Sequence, residues 1–150
     1  MNSSNPARRV LEAGLATIRP LFDVRRFSVT VKDGQGHGRH AIATFRREKL
    51  EIGLIVRIAE NRGYLGCPNY SEGAGYVGHG EVIAALGHAG EERLVKGEYL
   101  EFRDRSSGDP FDALRSDLEQ IVFPELDSSS MQFSAALARA LQQLREKRGW

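Results

Sequence analysis

The residues best equipped for chemistry are His37, His40, Cys67, His79 and His88, together with the string Gly73-Ala74-Gly75-Tyr76-Val77-Gly78. That string matches the G-x-G-x-x-G fingerprint letter for letter. Its glycines would let a backbone approach a pyrophosphate at a helix N-terminus, but only between a buried parallel strand and a full helix. Here Pro68-Asn69-Tyr70-Ser71-Glu72 precede the string, and only about two turns of helix can follow it. The context argues against a nucleotide, and no cofactor is expected.

A metal site would need a tighter ligand pattern. His37-x-x-His40 and a lone cysteine do not reproduce a zinc spacing, and no second cysteine accompanies them. No metal is expected either. For catalysis, His79 with Glu81, or Cys67 with His79, could supply a base and its partner or a nucleophile and its base. There is no G-x-S-x-G and no H-E-x-x-H, and spacing suggests no third member. A small cytosolic enzyme centred on His79 is therefore the competing function, and Cys67 beside Pro68 also reads as a small buried hydrophobe.

The segment from Gly63 to Gly80 carries a different signal. Tyr64, Tyr70 and Tyr76 occur there among Gly, Asn and Ser, a composition that gives large contact area at low entropic cost and adaptable hydrogen bonding. Tyr64, Asn69, Tyr70, Glu72, Tyr76 and His79 are the candidate partner-binding residues. The equally weighted reading is a glycine-rich loop folded over the core with tyrosines as lids.

Bulk properties narrow the classes. Basic and acidic residues number 21 and 20, for a net charge of +1, which lacks the electrostatic footprint of a dedicated nucleic-acid or acidic-membrane binder. The doublets Arg8-Arg9, Arg25-Arg26 and Arg46-Arg47 read as a solvated rim balanced by acids. With one cysteine no internal disulfide can form. No apolar run approaches a bilayer span and the first residues lack a signal-peptide core, so a cytoplasmic protein, monomer or homodimer, is expected. A chain of 150 residues fits one domain with its own core.

The elements that must position these residues follow from periodicity. Asn5 or Ser4 caps a helix that accepts Pro6 in its first turn, buries Val10, Leu11, Leu15 and Ile18, and stops at Pro20, with Gly14 allowing close approach to a sheet. Alternation predicts strands over Phe27–Lys32, Ala41–Phe45 and Leu50–Ile58, a short one at Tyr64–Cys67, and a further one within Glu91–Arg103 where Leu100 and Phe102 alternate with charges. The turns between the early strands are too short for parallel crossovers, so the sheet is an antiparallel meander. Pro68–Gly80 reads as a long loop and Glu81–Leu86 as a short helix ended by Gly87. Asp109 caps a helix containing Pro110 and Asp112 that buries Phe111, Leu114, Leu118, Ile121 and Val122 and ends at Pro124. Asp127–Ser130 cap a last helix on Phe133, Leu137, Leu141 and Leu144.

The five aliphatics Leu50, Ile52, Leu54, Val56 and Ile58 make the third strand the centre of the sheet. Its other face, Glu51, Gly53, Ile55 and Arg57, is less polar than an edge strand requires, and so is a second candidate contact surface. The expected fold is α+β: an antiparallel meander of four or five strands against an N-terminal helix and two C-terminal helices. The layout of the leading helix, the run Ala41-Ile42-Ala43-Thr44-Phe45 to Leu50-Glu51-Ile52, the Gly-rich loop with Glu81 to Gly87, Asp109-Pro110-Phe111-Asp112 and the Ala135–Leu144 helix resembles small bacterial proteins of the immunity type, encoded beside toxins. That resemblance implies protein–protein binding of a toxin-neutralising or chaperone-like kind and carries over no functional residue.

Overall fold

Alternation at period two organises the chain into one sheet with helices on one side. The computed structural model describes residues 5–34, 39–59, 62–94, 99–101 and 110–149. Helix α1 (Pro6–Asp23) precedes strands β1 (Ser28–Asp33), β2 (Arg39–Arg47), β3 (Leu50–Ala59), β4 (Arg62–Gly66), β5 (Asn69–Ser71) and β6 (Tyr76–Gly78). Helix α2 (His79–Ala85), strand β7 (Tyr99–Glu101), helix α3 (Pro110–Asp117), a π-helical stretch at Leu118–Val122, and helices α4 (Phe123–Ser128) and α5 (Ser130–Lys147) follow. The architecture is α+β. The main path of the sheet runs β1-β2-β3-β4-β7, every pairing is antiparallel, and β5 joins β3 with β6 on its far side.

The region expected to be a long loop after Pro68 therefore contributes two short strands. Three-residue strands carry too few alternations to be read from sequence. Residues His37, Phe102 and Asp109 lie outside the described residues.

Strand β3 does what its pattern predicts. Leu50, Ile52, Leu54 and Val56 are at most 5% exposed, as are Ala41, Ala43 and Phe45 of β2, and α1 lies against both strands. Phe22 of α1 stacks on Phe45 at 3.7 Å between centroids and meets Phe27 and Phe123 edge-on at 5.2 and 5.1 Å. This aromatic cluster joins the helix to the sheet and to α4.

Two prolines do not stop their helices. Helix α1 runs through Pro20 to Asp23, because continuing it buries Phe22 against Phe45, and the carbonyl that Pro20 leaves without a donor belongs to exposed Ala16. At Pro124 the device is different. The backbone N–H of Phe123 bonds the carbonyl of Leu118, five residues back, so a new helix begins with Pro124 in its first turn, where no N–H is needed.

The ends of the helices follow side-chain chemistry. Asn5 Oδ1 accepts from Ala7 N at 3.0 Å and Ser129 Oγ from Gln132 N at 3.1 Å. Helix α2 ends with Gly87 at φ 90°, its N–H on Ala84 O and that of His88 on Ile83 O, the Schellman arrangement. Helix α1 ends the same way, with Arg26 at φ 64° in the glycine position and Phe27 packed on Phe22. The doublet arginine Arg25 reaches the Asp127 carboxylate at 2.7 Å and covers the Phe123 ring at 4.3 Å.

Gly14 proves to be a contact between helices, not between helix and sheet. A Cβ there would lie 2.2 Å from the ring of Phe111 on α3, so only glycine admits that ring.

Two stability predictions follow from these backbone positions. Gly14→Ala overpacks the α1–α3 contact and should cost about 1–3 kcal/mol in urea unfolding. Arg26→Gly relieves the left-handed residue and should add about 0.5–1 kcal/mol, read as a higher urea midpoint at unchanged slope.

Candidate functional site

The sequence candidates separate onto two sides of the sheet. Because paired residues share a face, Ile52, Tyr70 and Val77 point into the core, while Glu51, Ser71 and Tyr76 point the other way. Tyr70 is 0% exposed and His79 is 1% exposed. Both were candidate partner contacts, and both are interior side chains that a partner at the folded surface does not reach. The alternation that turned Tyr76 outward turned Tyr70 inward.

Tyr70 and His79 belong to a buried polar chain. Tyr70 Oη lies 2.8 Å from His79 Nδ1, and His79 Nε2 lies 2.9 Å from Asp117 Oδ2. Asp117 also accepts the backbone N–H of Arg93 at 2.7 Å and of Leu94 at 3.0 Å. The pattern assigns the Nε2–H to Asp117 and the Tyr70 O–H to Nδ1. Burial, with the charge of Asp117 nearby, pushes the Tyr70 phenol well above its ordinary value, so it stays a donor. Nucleophile-like, base-like and acid-like groups are thus in line, as a triad would place them. None of the clefts described below is lined by any of the three, and every buried side-chain polar atom described has a hydrogen-bond partner. The geometry is that of a structural tie. It links β5, the start of α2, the 93–94 backbone and the last residue of α3, directly before the π-helical stretch.

Asp117 was not among the sequence candidates. It sits 38 residues from His79, and the only local hint is an acid on the otherwise apolar stripe Leu114, Leu118, Ile121.

The glycine-rich loop is clamped to α5. Glu72 accepts from Ser134 Oγ at 2.8 Å, Arg145 donates to Ala74 O at 2.9 Å, and Ser71 Oγ accepts from Gly73 N at 3.1 Å. Glu72 is therefore half-buried and engaged. Clefts of about 400 and 270 Å³ flank its bridge to Ser134 along α5. The G-x-G-x-x-G string spans this loop and β6, in an antiparallel hairpin, not the parallel strand-to-helix turn that holds a pyrophosphate.

The other side of the sheet is the candidate site. Among the described residues no helix lies on it. Its rows can be read from the register: Arg46, Glu51, Ser71 and Tyr76 in one, then Thr44, Gly53 and Asn69, then Ile42 and Ile55, then His40, Arg57 and Tyr64. Tyr76 is 58% and Ile42 37% exposed. A hollow of about 280 Å³ opens over Gly53, lined by Ile42, Thr44, Ile55, Asn69 and Tyr76. An added Cβ at Gly53 would meet nothing within 4 Å, so the hollow is room left by a missing side chain. Three of the six sequence candidates, Tyr64, Asn69 and Tyr76, belong to this face.

Its electrostatics are fixed at one end. Tyr76 Oη and Arg46 both donate to the Glu51 carboxylate. The hydrogen bond from Tyr76, then that from Arg46, holds the Glu51 carboxyl below its ordinary value, and the bond to Glu51 holds the Tyr76 phenol above its own. Arg57 at the other end is exposed and has no ion pair among the described residues.

The remaining imidazoles are dispersed. The His40 ring lies against Gly34, and His88 bridges Glu91 and Glu125, whose hydrogen bonds raise its pKa, Glu125 first. Among the described residues no three His, Cys, Asp or Glu side chains come together to hold a metal, and no helix is long and apolar enough to cross a membrane.

Tyr70→Phe strips the donor from a buried imidazole nitrogen and should cost about 1–3 kcal/mol. Asp117→Ala orphans three donors at once and should cost about 3 kcal/mol or more. Equal urea midpoints for Tyr70→Phe and the parent protein would show that the buried chain is no structural tie. Comparison with protein families, with curated proteins and with solved structures finds no match to the chain.

Proposed function

We propose that this chain is a protein-binding module, of the toxin-neutralising or chaperone-like kind, and that it binds through the open face of its sheet. The observation that carries this reading is Tyr76: a large aromatic ring, 58% exposed, whose hydroxyl is nevertheless held by Glu51. Such a side chain offers contact area without the entropy cost of being ordered on binding. The hollow over Gly53 beside it accepts a projecting group, and Ile42 and Ile55 supply an apolar centre with polar residues around it, the anatomy of an interface. Strand backbone keeps these groups at fixed spacing.

Interchange of loop for sheet sharpens the reading. The loop residues 72–75 are held by α5, so the contact surface is the strand face that begins where the loop ends. The in-line chain at His79 is buried and lines none of the clefts described, which weighs against a site centred there.

Affinity capture with the wild-type chain, followed by identification of what is bound, tests the proposal. Ile55→Lys and Tyr76→Ala should each lose the captured protein with their thermal midpoints kept, whereas Gln142→Ala on the outer face of α5 should retain it. A captured protein that halts growth when expressed alone, and is relieved by co-expression, would assign the toxin-neutralising kind. Capture that survives both face substitutions would overturn the proposal.

A further inference from the structure

The open face is complementary to itself, and from that we infer that a second copy of this chain occupies it when no other partner does. The inference rests on the reading of this face as an interaction surface and names one occupant for it. Two sheets pack face to face about 10 Å apart with strand directions within roughly 30°, and a two-fold axis relating them must lie in the plane between them. An axis perpendicular to β3 at the level of Leu54 reverses the order of the outward residues Glu51, Gly53, Ile55 and Arg57. Glu51 then lies over Arg57 of the second copy, and Gly53 over Ile55 of the second copy. The same pairs recur in reverse, as a closed isologous interface requires.

The Gly53–Ile55 and Glu51–Arg57 pairings are chemically apt; at the rim the same operation sets Arg46 over His40 of the second copy. Ile55 projects towards the position where the facing strand has no side chain and where an added Cβ meets nothing within 4 Å. On β2 the same operation puts Ile42 over Thr44 of the second copy, since those residues pair with Ile55 and Gly53. The apolar centre thus closes on itself. Glu51, already oriented by Tyr76 and Arg46, meets Arg57, which has no ion pair among the described residues of its own chain. A carboxylate has acceptor sites enough for all three donors.

The area is of the required order. Five strand columns by four rows of outward residues, at about 4.8 Å and 6.8 Å spacing, cover on the order of 600 Å² in projection, near the roughly 800 Å² of accessible surface that each partner of a stable complex buries.

Sedimentation velocity of the full chain over a concentration series tests this. The wild-type chain should be dimeric. Arg57→Glu and Glu51→Arg should each weaken the dimer at least tenfold by placing like charges across the interface. An equimolar mixture of the two should restore it as a heterodimer, visible by native mass spectrometry, because both cross-copy pairs are then opposite in sign. Gly53→Lys fills the hollow without a clash inside one copy; it should keep the far-UV circular dichroism spectrum and be monomeric. It serves should Glu51→Arg fail to fold. A wild-type chain monomeric to about 1 mM, or a dimer indifferent to Arg57→Glu and Gly53→Lys, would overturn the inference. The outcomes separate it from the preceding proposal: a monomer that still loses its captured protein on Ile55→Lys leaves the binding face standing, and a face-dependent dimer that captures nothing removes the other partner instead.

Discussion

The hydrogen-bonded chain Tyr70–His79–Asp117 is the constraint on which the placement of the second half of the molecule depends. In a low-dielectric interior such a chain is stabilising only when every member is satisfied, and here each is. Tyr70 comes from a three-residue strand and His79 from a seven-residue helix, elements too short to be stable by themselves. Asp117 closes α3 and takes two backbone donors from the 93–94 segment as well. Three pieces of weak local structure are thereby fixed to one another through a few directional bonds.

That tie explains why the face opposite the helices can be an ordered surface. The β5–β6 hairpin carries Tyr70 and Val77 inward, and anchoring Tyr70 in the core sets the register that brings Ser71, Asn69 and Tyr76 outward beside β3. The open face is in this sense the outer side of a core decision. Glu51 completes it, since it draws Tyr76 and Arg46 into one row across four strands.

Much of the fold was legible. The alternation in β1, β2 and β3, the Asn5 and Ser129 caps and the Gly87 terminus all came out as their residue types imply, and the even face of β3 is the buried one. Less was legible where two local signals competed. Pro20 and Pro124 are stop signals, yet aromatic burial carries α1 past the first, and a five-residue backbone bond lets the chain restart as helix at the second. Gly14 was readable as a close approach, but nothing in its neighbourhood says that the approaching group is Phe111. Of the residues that composition singles out, Tyr64, Asn69 and Tyr76 lie on the open face of the sheet, while Tyr70 and His79 belong to the core.

By itself the sequence determined the three long strands, the first and last helices, where most of the helices begin and which face of β3 is apolar, because these depend on neighbours within a few positions; the three-residue strands β5 and β6 carry no such pattern. Only the tertiary structure decided that Tyr70 and His79 are interior while Tyr76 stands on the surface, that Asp117 is their partner, and that Glu51, Gly53, Ile55 and Tyr76 form one surface. Those outcomes depend on strand pairing and on bonds between residues up to 38 positions apart, and no local pattern encodes which distant donor an acceptor will meet.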